Sequence, residues 1–86
     1  MKPIREDFNY SLAEALQDLR KKTGKTQQIA ADELNVSKTI ISNYETGEHK
    51  APAYIVYEYV KEAGMSFDDF FKIVELKMQE KALFHK

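Results

Sequence analysis

The sequence contains no cysteine, three glycines, two prolines and no long hydrophobic run. The missing cysteines exclude a disulfide scaffold, a thiol nucleophile and any zinc site with cysteine ligands. Because no apolar segment is long enough to cross a bilayer, no transmembrane span and no membrane partner are predicted. Residues 1–20 also lack the apolar stretch of a secretory signal peptide. We therefore expect a cytoplasmic protein.

Charged side chains make up 31% of the 86 residues, with 13 basic and 14 acidic groups for a net charge of −1. Residues 20–50 carry six basic groups against four acidic ones, whereas the segments on either side are net negative. A basic middle segment is weak evidence for nucleic-acid binding, since most charge clusters are solvated surface. The length predicts a single domain over residues 1–86, with its core in residues 8–71 and a C-terminal helical extension over 72–86.

Apolar side chains recur with the spacing of α-helices rather than of strands. Leu12, Leu16 and Leu19, for example, form one stripe on the first helix. Thr26 and Ser37 are of the type that caps the start of a helix, which places two further helices after them. The sequence therefore predicts an all-α fold of five helices. They cover about residues 8–22, 27–34, 38–45, 53–63 and 67–83.

The short turn Leu34-Asn35-Val36-Ser37 joins the second and third helices, which is typical of a helix-turn-helix at about residues 27–45. Ala31 is small enough to let the third helix cross closely over the second. A short polar outer face on the third helix can enter a DNA major groove and meet base edges, although an ordinary solvated face has the same composition. The residues of this face are Lys38, Thr39, Ser42 and Asn43.

A set of short motifs stands in a fixed order along the chain. It consists of Leu16-x-x-Leu19-Arg20, Thr26-Gln27, Ala31-x-x-Leu34-Asn35-Val36-Ser37, Ile41-Ser42-x-Tyr44-Glu45-x-Gly47 and Gly64-Met65-Ser66-x-x-x-Phe70. With these motifs the stretch 16–71 resembles the Cro/C1-type (XRE-like) family of helix-turn-helix proteins, which includes the lambdoid phage repressors and Cro. The resemblance implies a five-helix, lambda-repressor-like domain that binds double-stranded DNA in the major groove.

The resemblance also implies roles for individual residues. Lys38, Thr39 and Asn43 match base-reading positions; lysine suits guanine, and asparagine pairs with adenine. Gln27 matches a residue that binds a phosphate at the N-terminus of the second helix. Three further candidates for contacts with the DNA backbone are Ser42, Thr46 and Lys50.

Arg20 and Glu45 match a salt-bridged pair of the family, whose role is structural and lies outside the DNA footprint. The chain departs from the family pattern at other positions. Asn35 replaces the usual glycine of the turn and is the best non-glycine residue for a left-handed backbone. Ile40 replaces a small polar residue; we expect it to pack inward, the alternative being contact with a thymine methyl group. Ala53 replaces an arginine that some relatives place near the minor groove, so that contact is expected to be missing.

Catalytic and metal sites are not predicted. His49 and His85 are far apart and have no partner ligands, which argues against a metal site. Asp68 and Asp69 are adjacent, so they suit the first turn of a helix better than a general acid/base pair. No glycine-rich phosphate loop or nucleophile motif occurs. We expect a protein that is not an enzyme and needs no cofactor.

The C-terminal helix is apolar on more than one side. Phe70, Val74 and their neighbours predict one face that packs on the domain. Ile73, Leu76 and Leu83 form a second line, which a homodimer would cover. In the alternative, the tail folds back on the first helix or frays.

We interpret the chain as a sequence-specific transcriptional regulator, a repressor that binds a palindromic operator as a dimer. Three alternatives stay open: the antitoxin of a toxin–antitoxin pair, whose tail or tyrosines hold a toxin; a coactivator that contacts the transcription machinery; and a protein–protein interaction module without DNA binding.

Overall fold

Five helices make up residues 4–84, the part of the chain that the computed structural model describes. No strand occurs in these residues, so the predicted all-α fold is confirmed. The helices are α1 (Ile4–Lys22), α2 (Gln27–Leu34), α3 (Lys38–Thr46), α4 (Ala53–Glu62) and α5 (Phe67–Phe84).

The helix bounds differ from the predicted ones most at the start of α1, which begins at Ile4 instead of near residue 8. The first turn lies outside the apolar stripe, but its acidic residues Glu6 and Asp7 favour a helix N-terminus. At the other ends the differences are single residues: α3 continues to Thr46, and α4 stops at Glu62.

Capping side chains begin the helices, and residues with a left-handed backbone end them, at the positions that the sequence indicates. Ser66 Oγ accepts a hydrogen bond from the backbone N–H of Asp69 at 3.1 Å, which closes the first turn of α5. Gly47 ends α3 with φ of 84°. A Cβ atom there would approach the ring of Tyr10 to 2.8 Å, so both the backbone and the neighbouring α1 require glycine.

The core lies around α1, which packs against α3, α4 and α5, while α2 packs chiefly against α3. Leu16 on α1 and Phe70 on α5 are fully buried. Because α1 contacts three other helices, it is the support on which the α2–α3 pair is held. The remaining members of the buried cluster are Ala15, Leu19, Ile55, Val56, Tyr59, Val60 and Val74.

The last helix is one continuous element across the predicted boundary between core and extension at residues 71 and 72. Its Phe70 and Val74 face packs on α1. Two ion pairs between the helices reinforce this packing, Lys77–Asp18 and Lys81–Glu14, each at 2.8 Å. The charge and hydrogen bond of Asp18 raise the pKa of Lys77. The described part of the tail therefore lies along the first helix.

The second apolar line of α5 is narrower than predicted. Leu76 and Leu83 remain 58% and 66% exposed. Ile73 does not belong with them, because it is half-buried and packs against the core cluster. The helical wheel explains the correction, since Ile73 lies one residue before the buried Val74 and at the edge of the core-facing side.

Candidate nucleic-acid interface

The turn between α2 and α3 is built from local hydrogen bonds. Thr26 Oγ1 accepts from Ile29 N at 3.1 Å to begin α2, and Ser37 Oγ accepts from Ile40 N at 3.1 Å to begin α3. Between them Asn35 adopts the left-handed conformation, with φ of 58° and ψ of 43°. The side chains of Thr26 and Ser37 and the backbone of Asn35 therefore fix the direction in which α3 leaves α2.

Close packing holds the two helices against each other. Ala31 on α2 and Ile41 on α3 are both fully buried. The small alanine side chain permits the close approach that the sequence predicted. Ile40 is half-buried, in agreement with the expected inward packing. The helix pair is thus a rigid platform, and its polar residues lie on the outside.

The predicted base-reading residues lie on the outer side of α3. Lys38 and Thr39 are exposed in its first turn, and Asn43 is half-buried one turn later. Residues four apart share a helix face, so Thr39 and Asn43 present their polar groups together. Short polar side chains on one helix face are what direct reading of base edges requires.

His49 lies beside Asn43, a contact that the sequence did not reveal. Its backbone N–H donates to Asn43 O at 3.2 Å, and its ring Nδ1 is 3.5 Å from Asn43 Nδ2. The loop after α3 therefore folds back toward α3 itself. His49 adjoins the surface that the predicted base-reading residues form.

The predicted contacts with the DNA backbone are distributed over the start of α2, the middle and end of α3, and the loop that follows α3. Gln27 is the first residue of α2 and is half-buried. Ser42 is half-buried on α3, and Thr46 is the exposed last residue of that helix, where its hydroxyl lies 3.4 Å from Asn43 O. Lys50 is exposed in the loop that follows.

The structure brings together the predicted ion pair of Arg20 and Glu45. Arg20 Nε donates to Glu45 Oε2 at 2.8 Å, and Nη2 donates to Oε1 at 2.9 Å. The Glu45 side chain is fully buried, and 10% of the Arg20 side chain is exposed. This two-pronged geometry is the strongest form of carboxylate recognition by arginine. The hydrogen bonds to Glu45 raise the pKa of Arg20.

Two further side chains bind the same carboxylate. Gln27 Nε2 donates to Glu45 Oε1 at 3.2 Å, and Tyr59 Oη donates to Oε2 at 2.7 Å. We refer to Arg20, Gln27, Glu45 and Tyr59 as the Glu45 network. It joins α1, α2, α3 and α4 at one buried point.

Sequence reasoning missed Tyr59 as a polar partner. Burial, and then the hydrogen bond to Glu45, raise its pKa. Its position on α4 was a usable signal, because residue 59 falls on the same buried stripe as Ile55 and Val56. A buried tyrosine hydroxyl requires a partner, and Glu45 supplies it.

A second connection between α2 and α4 runs through Lys25 in the loop after α1. Its Nζ lies 2.6 Å from Glu33 Oε1 on α2 and 2.8 Å from Glu62 Oε2 on α4. The hydrogen bond to Lys25 lowers the pKa of Glu62, and the two glutamates raise that of Lys25. Beneath this bridge lies an open cavity of about 290 Å³ lined by Leu19, Leu34 and other residues of α1, α2 and α4.

Residues 4–84 contain no group of three or more histidine, aspartate or glutamate side chains arranged to hold a metal ion. His85 lies outside the described residues. None of the described helices combines the length and the apolar composition needed to span a membrane.

The geometry defines a class of protein: an all-α domain with a helix-turn-helix, a fold in which the second helix of the motif enters the major groove of DNA. Comparison with protein families agrees, because the model described as a helix-turn-helix domain matches residues 11–67. The chain belongs to this family. No curated protein and no solved structure matches the chain significantly.

Proposed function

We propose that this protein is a sequence-specific transcriptional regulator of the Cro/C1 type that acts in the cytoplasm. The observation that carries the proposal is the polar outer face of α3, with Thr39 and Asn43 one turn apart on a helix that is capped at Ser37. The match to the helix-turn-helix family supports the same conclusion. Base contacts come from Lys38, Thr39 and Asn43, and backbone contacts come from Gln27, Ser42, Thr46 and Lys50.

The function is binding rather than catalysis. The adjacent carboxylates Asp68 and Asp69 lie in the first turn of α5, where they complement the helix dipole. The buried Glu45 is neutralised by Arg20 and serves the scaffold. Repression is the simplest outcome of such binding, because occupation of an operator blocks access to DNA without a further protein contact.

The test is a titration of fluorescent 20-base-pair duplexes of random sequence with the purified protein at two salt concentrations. We expect binding that weakens as salt rises, since phosphate contacts by cations such as Lys50 release counterions. The slope should be shallow, because Lys50 is the one cation among the four proposed contacts with the DNA backbone. Absence of binding at low salt would contradict a DNA-binding function and favour a protein–protein module.

The exposed face of α5 supports the proposal that the protein is a homodimer. Lys72, Leu76 and Glu80 are spaced by four residues and are therefore on one face, with Leu83 three residues further along the same side. If two copies pack antiparallel about Leu76, Lys72 of each copy lies opposite Glu80 of the other. The surface is thus self-complementary in charge, as a two-fold interface requires.

Dimerisation also suits the reading of DNA. One recognition helix reads few base pairs, which is little specificity against a genome of competing sites. A two-fold dimer places two recognition helices about 34 Å apart, on half-sites separated by one turn of DNA. The proposed operator is accordingly an inverted repeat with about 10 base pairs between half-site centres.

Leu76→Asp should give a folded monomer with much weaker operator binding, because it places a charge in the proposed α5 interface without touching α3. Sedimentation velocity and duplex titration measure the two effects. Tyr54→Asp is the matched control, since Tyr54 is 59% exposed on a different helix and receives the same charge. The dimer would be contradicted if the wild type sedimented as a monomer at high micromolar concentration and bound a single half-site as tightly as the inverted repeat.

The charge pairing has its own test in the same assay. Lys72→Glu alone should weaken the dimer, because the proposed attraction between position 72 of one copy and Glu80 of the other becomes a repulsion. Combining it with Glu80→Lys should restore association. If the double variant were as weakly associated as Lys72→Glu, the antiparallel arrangement would be wrong.

A second candidate function is the antitoxin of a toxin–antitoxin pair. The observation that favours it is an aromatic surface on α4 and α5, where Tyr57 stacks on Phe67 with ring centroids 6.0 Å apart and Tyr54 is exposed nearby on α4. Aromatic groups are typical anchors of protein interfaces. Co-expression with the product of the neighbouring gene would show a stable complex for an antitoxin and separate proteins for a simple repressor.

A further inference from the structure

The Glu45 carboxylate is held at both oxygens. Oε2 accepts from the Tyr59 hydroxyl and from Arg20 Nε, and Oε1 accepts from Arg20 Nη2 and from Gln27 Nε2. A carboxylate bound on both sides cannot rotate without breaking several buried hydrogen bonds. The position of Oε1, and with it the direction of the Gln27 amide, is therefore set partly by a residue on α4.

Gln27 connects this network to the surface at the start of α2, where it is half-buried. Its side-chain nitrogen carries two N–H groups, and Glu45 accepts a hydrogen bond from this nitrogen. The amide lies at the start of α2, so its second N–H is suited to a phosphate oxygen beside the helix N-terminus. A glutamine fixed before binding loses less side-chain entropy when DNA arrives than one that rotates freely.

We propose that Tyr59 is a positioning residue for DNA binding: its hydroxyl fixes the Glu45 carboxylate, which in turn orients the Gln27 amide toward a DNA phosphate. The inference rests on the proposed function, and it adds to the interface a residue of α4 that touches no DNA. The raised pKa of Tyr59 agrees with it, since the hydroxyl stays protonated and remains a donor to Glu45.

Tyr59→Phe removes the hydroxyl and keeps the buried ring. We expect a three- to tenfold loss of affinity for a fixed duplex, the size of one hydrogen bond, with helix content unchanged by circular dichroism. Tyr57→Phe is the matched control, because Tyr57 is an exposed tyrosine on the same helix. It should bind as the wild type does.

A double-mutant cycle separates positioning from general stability. If Tyr59 acts through Gln27, then Tyr59→Phe should have no further effect on affinity once Gln27→Ala has removed the amide. A purely structural role predicts that Tyr59→Phe weakens binding by the same factor in both backgrounds. That second result would overturn the proposal.

Side-chain NMR relaxation in the free protein gives a readout that needs no DNA. Gln28 is the internal control, because its amide also donates to a carboxylate, that of Asp32, but at an exposed site. In the wild type the Gln27 side-chain amide should be more rigid than that of Gln28, and in Tyr59→Phe the two should become equally mobile. Equal mobility of the two amides in the wild type would overturn the proposal even if Tyr59→Phe failed to fold.

The failures of this proposal and of the proposed function are distinguishable. If the wild type binds no duplex, the proposed function is wrong, but the relaxation measurement still tests the Glu45 network. If the wild type binds DNA, and Gln27→Ala weakens binding but Tyr59→Phe does not, the proposed function stands and Tyr59 is not a positioning residue.

Discussion

Replacing Glu45 with alanine should lower the free energy of unfolding by about 3–5 kcal/mol, among the largest losses expected from a single change in this chain. The reason is that Glu45 is 4% exposed and is the partner of both Arg20 and Tyr59. Its removal leaves the Arg20 guanidinium without its carboxylate and the Tyr59 hydroxyl without its acceptor. Unpaired buried donors cost far more than the intact pair contributes. Urea denaturation followed by circular dichroism measures the loss.

Arg20→Ala should destabilise the fold similarly, because it leaves the carboxylate buried and without its cation. The double variant should lose less than the sum of the two single losses, since neither charge is then left alone. Glu48→Ala, which removes an exposed carboxylate from the loop after α3, is the matched control and should change stability by less than about 0.5 kcal/mol. Strictly additive losses from Arg20→Ala and Glu45→Ala would show that the pair does not interact.

Asn43→Ala and Thr39→Ala should each weaken binding to the preferred DNA site by about 1–3 kcal/mol and relax the base preference at one position. Both side chains lie on the outer face of α3, so their removal leaves the packing of Ala31 and Ile41 intact. Titration of the preferred duplex and of single-base variants measures both effects.

Lys50→Ala serves as the contrast, because Lys50 is exposed in the loop after α3 and is proposed to contact the DNA backbone alone. The variant should weaken binding to all DNA sequences by a similar factor, and it should reduce the salt dependence of that binding. If Asn43→Ala bound the same sequences with unchanged affinity, the assignment of α3 as the recognition helix would be wrong.

The local features of the fold follow from the sequence because short-range chemistry decides them. The start and end of α2 are set by Thr26 and Asn35, each of which acts on backbone groups a few residues away. The start of α3 is set in the same way by Ser37. The start of α1 was missed because its first turn has acidic residues that complement the helix dipole but lies outside the apolar stripe.

The features that escaped prediction depend on contacts between distant parts of the chain. Tyr59 meets Glu45 because α4 packs across α1, and the contact of His49 with Asn43 depends on the path of a loop. Ile73 was placed on the wrong side because helix spacing alone does not say where the core-facing side ends. The pairing of Arg20 with Glu45 was anticipated only through resemblance to a family.

Selection of bound sequences from a random double-stranded DNA library tests most directly whether α3 is a recognition helix. The wild type should enrich one inverted repeat with about 10 base pairs between half-site centres, and Asn43→Ala should enrich a repeat that is degenerate at one position of each half-site. Enrichment of no sequence above the starting pool, or of the same repeat by the wild type and Asn43→Ala, would contradict sequence reading by α3.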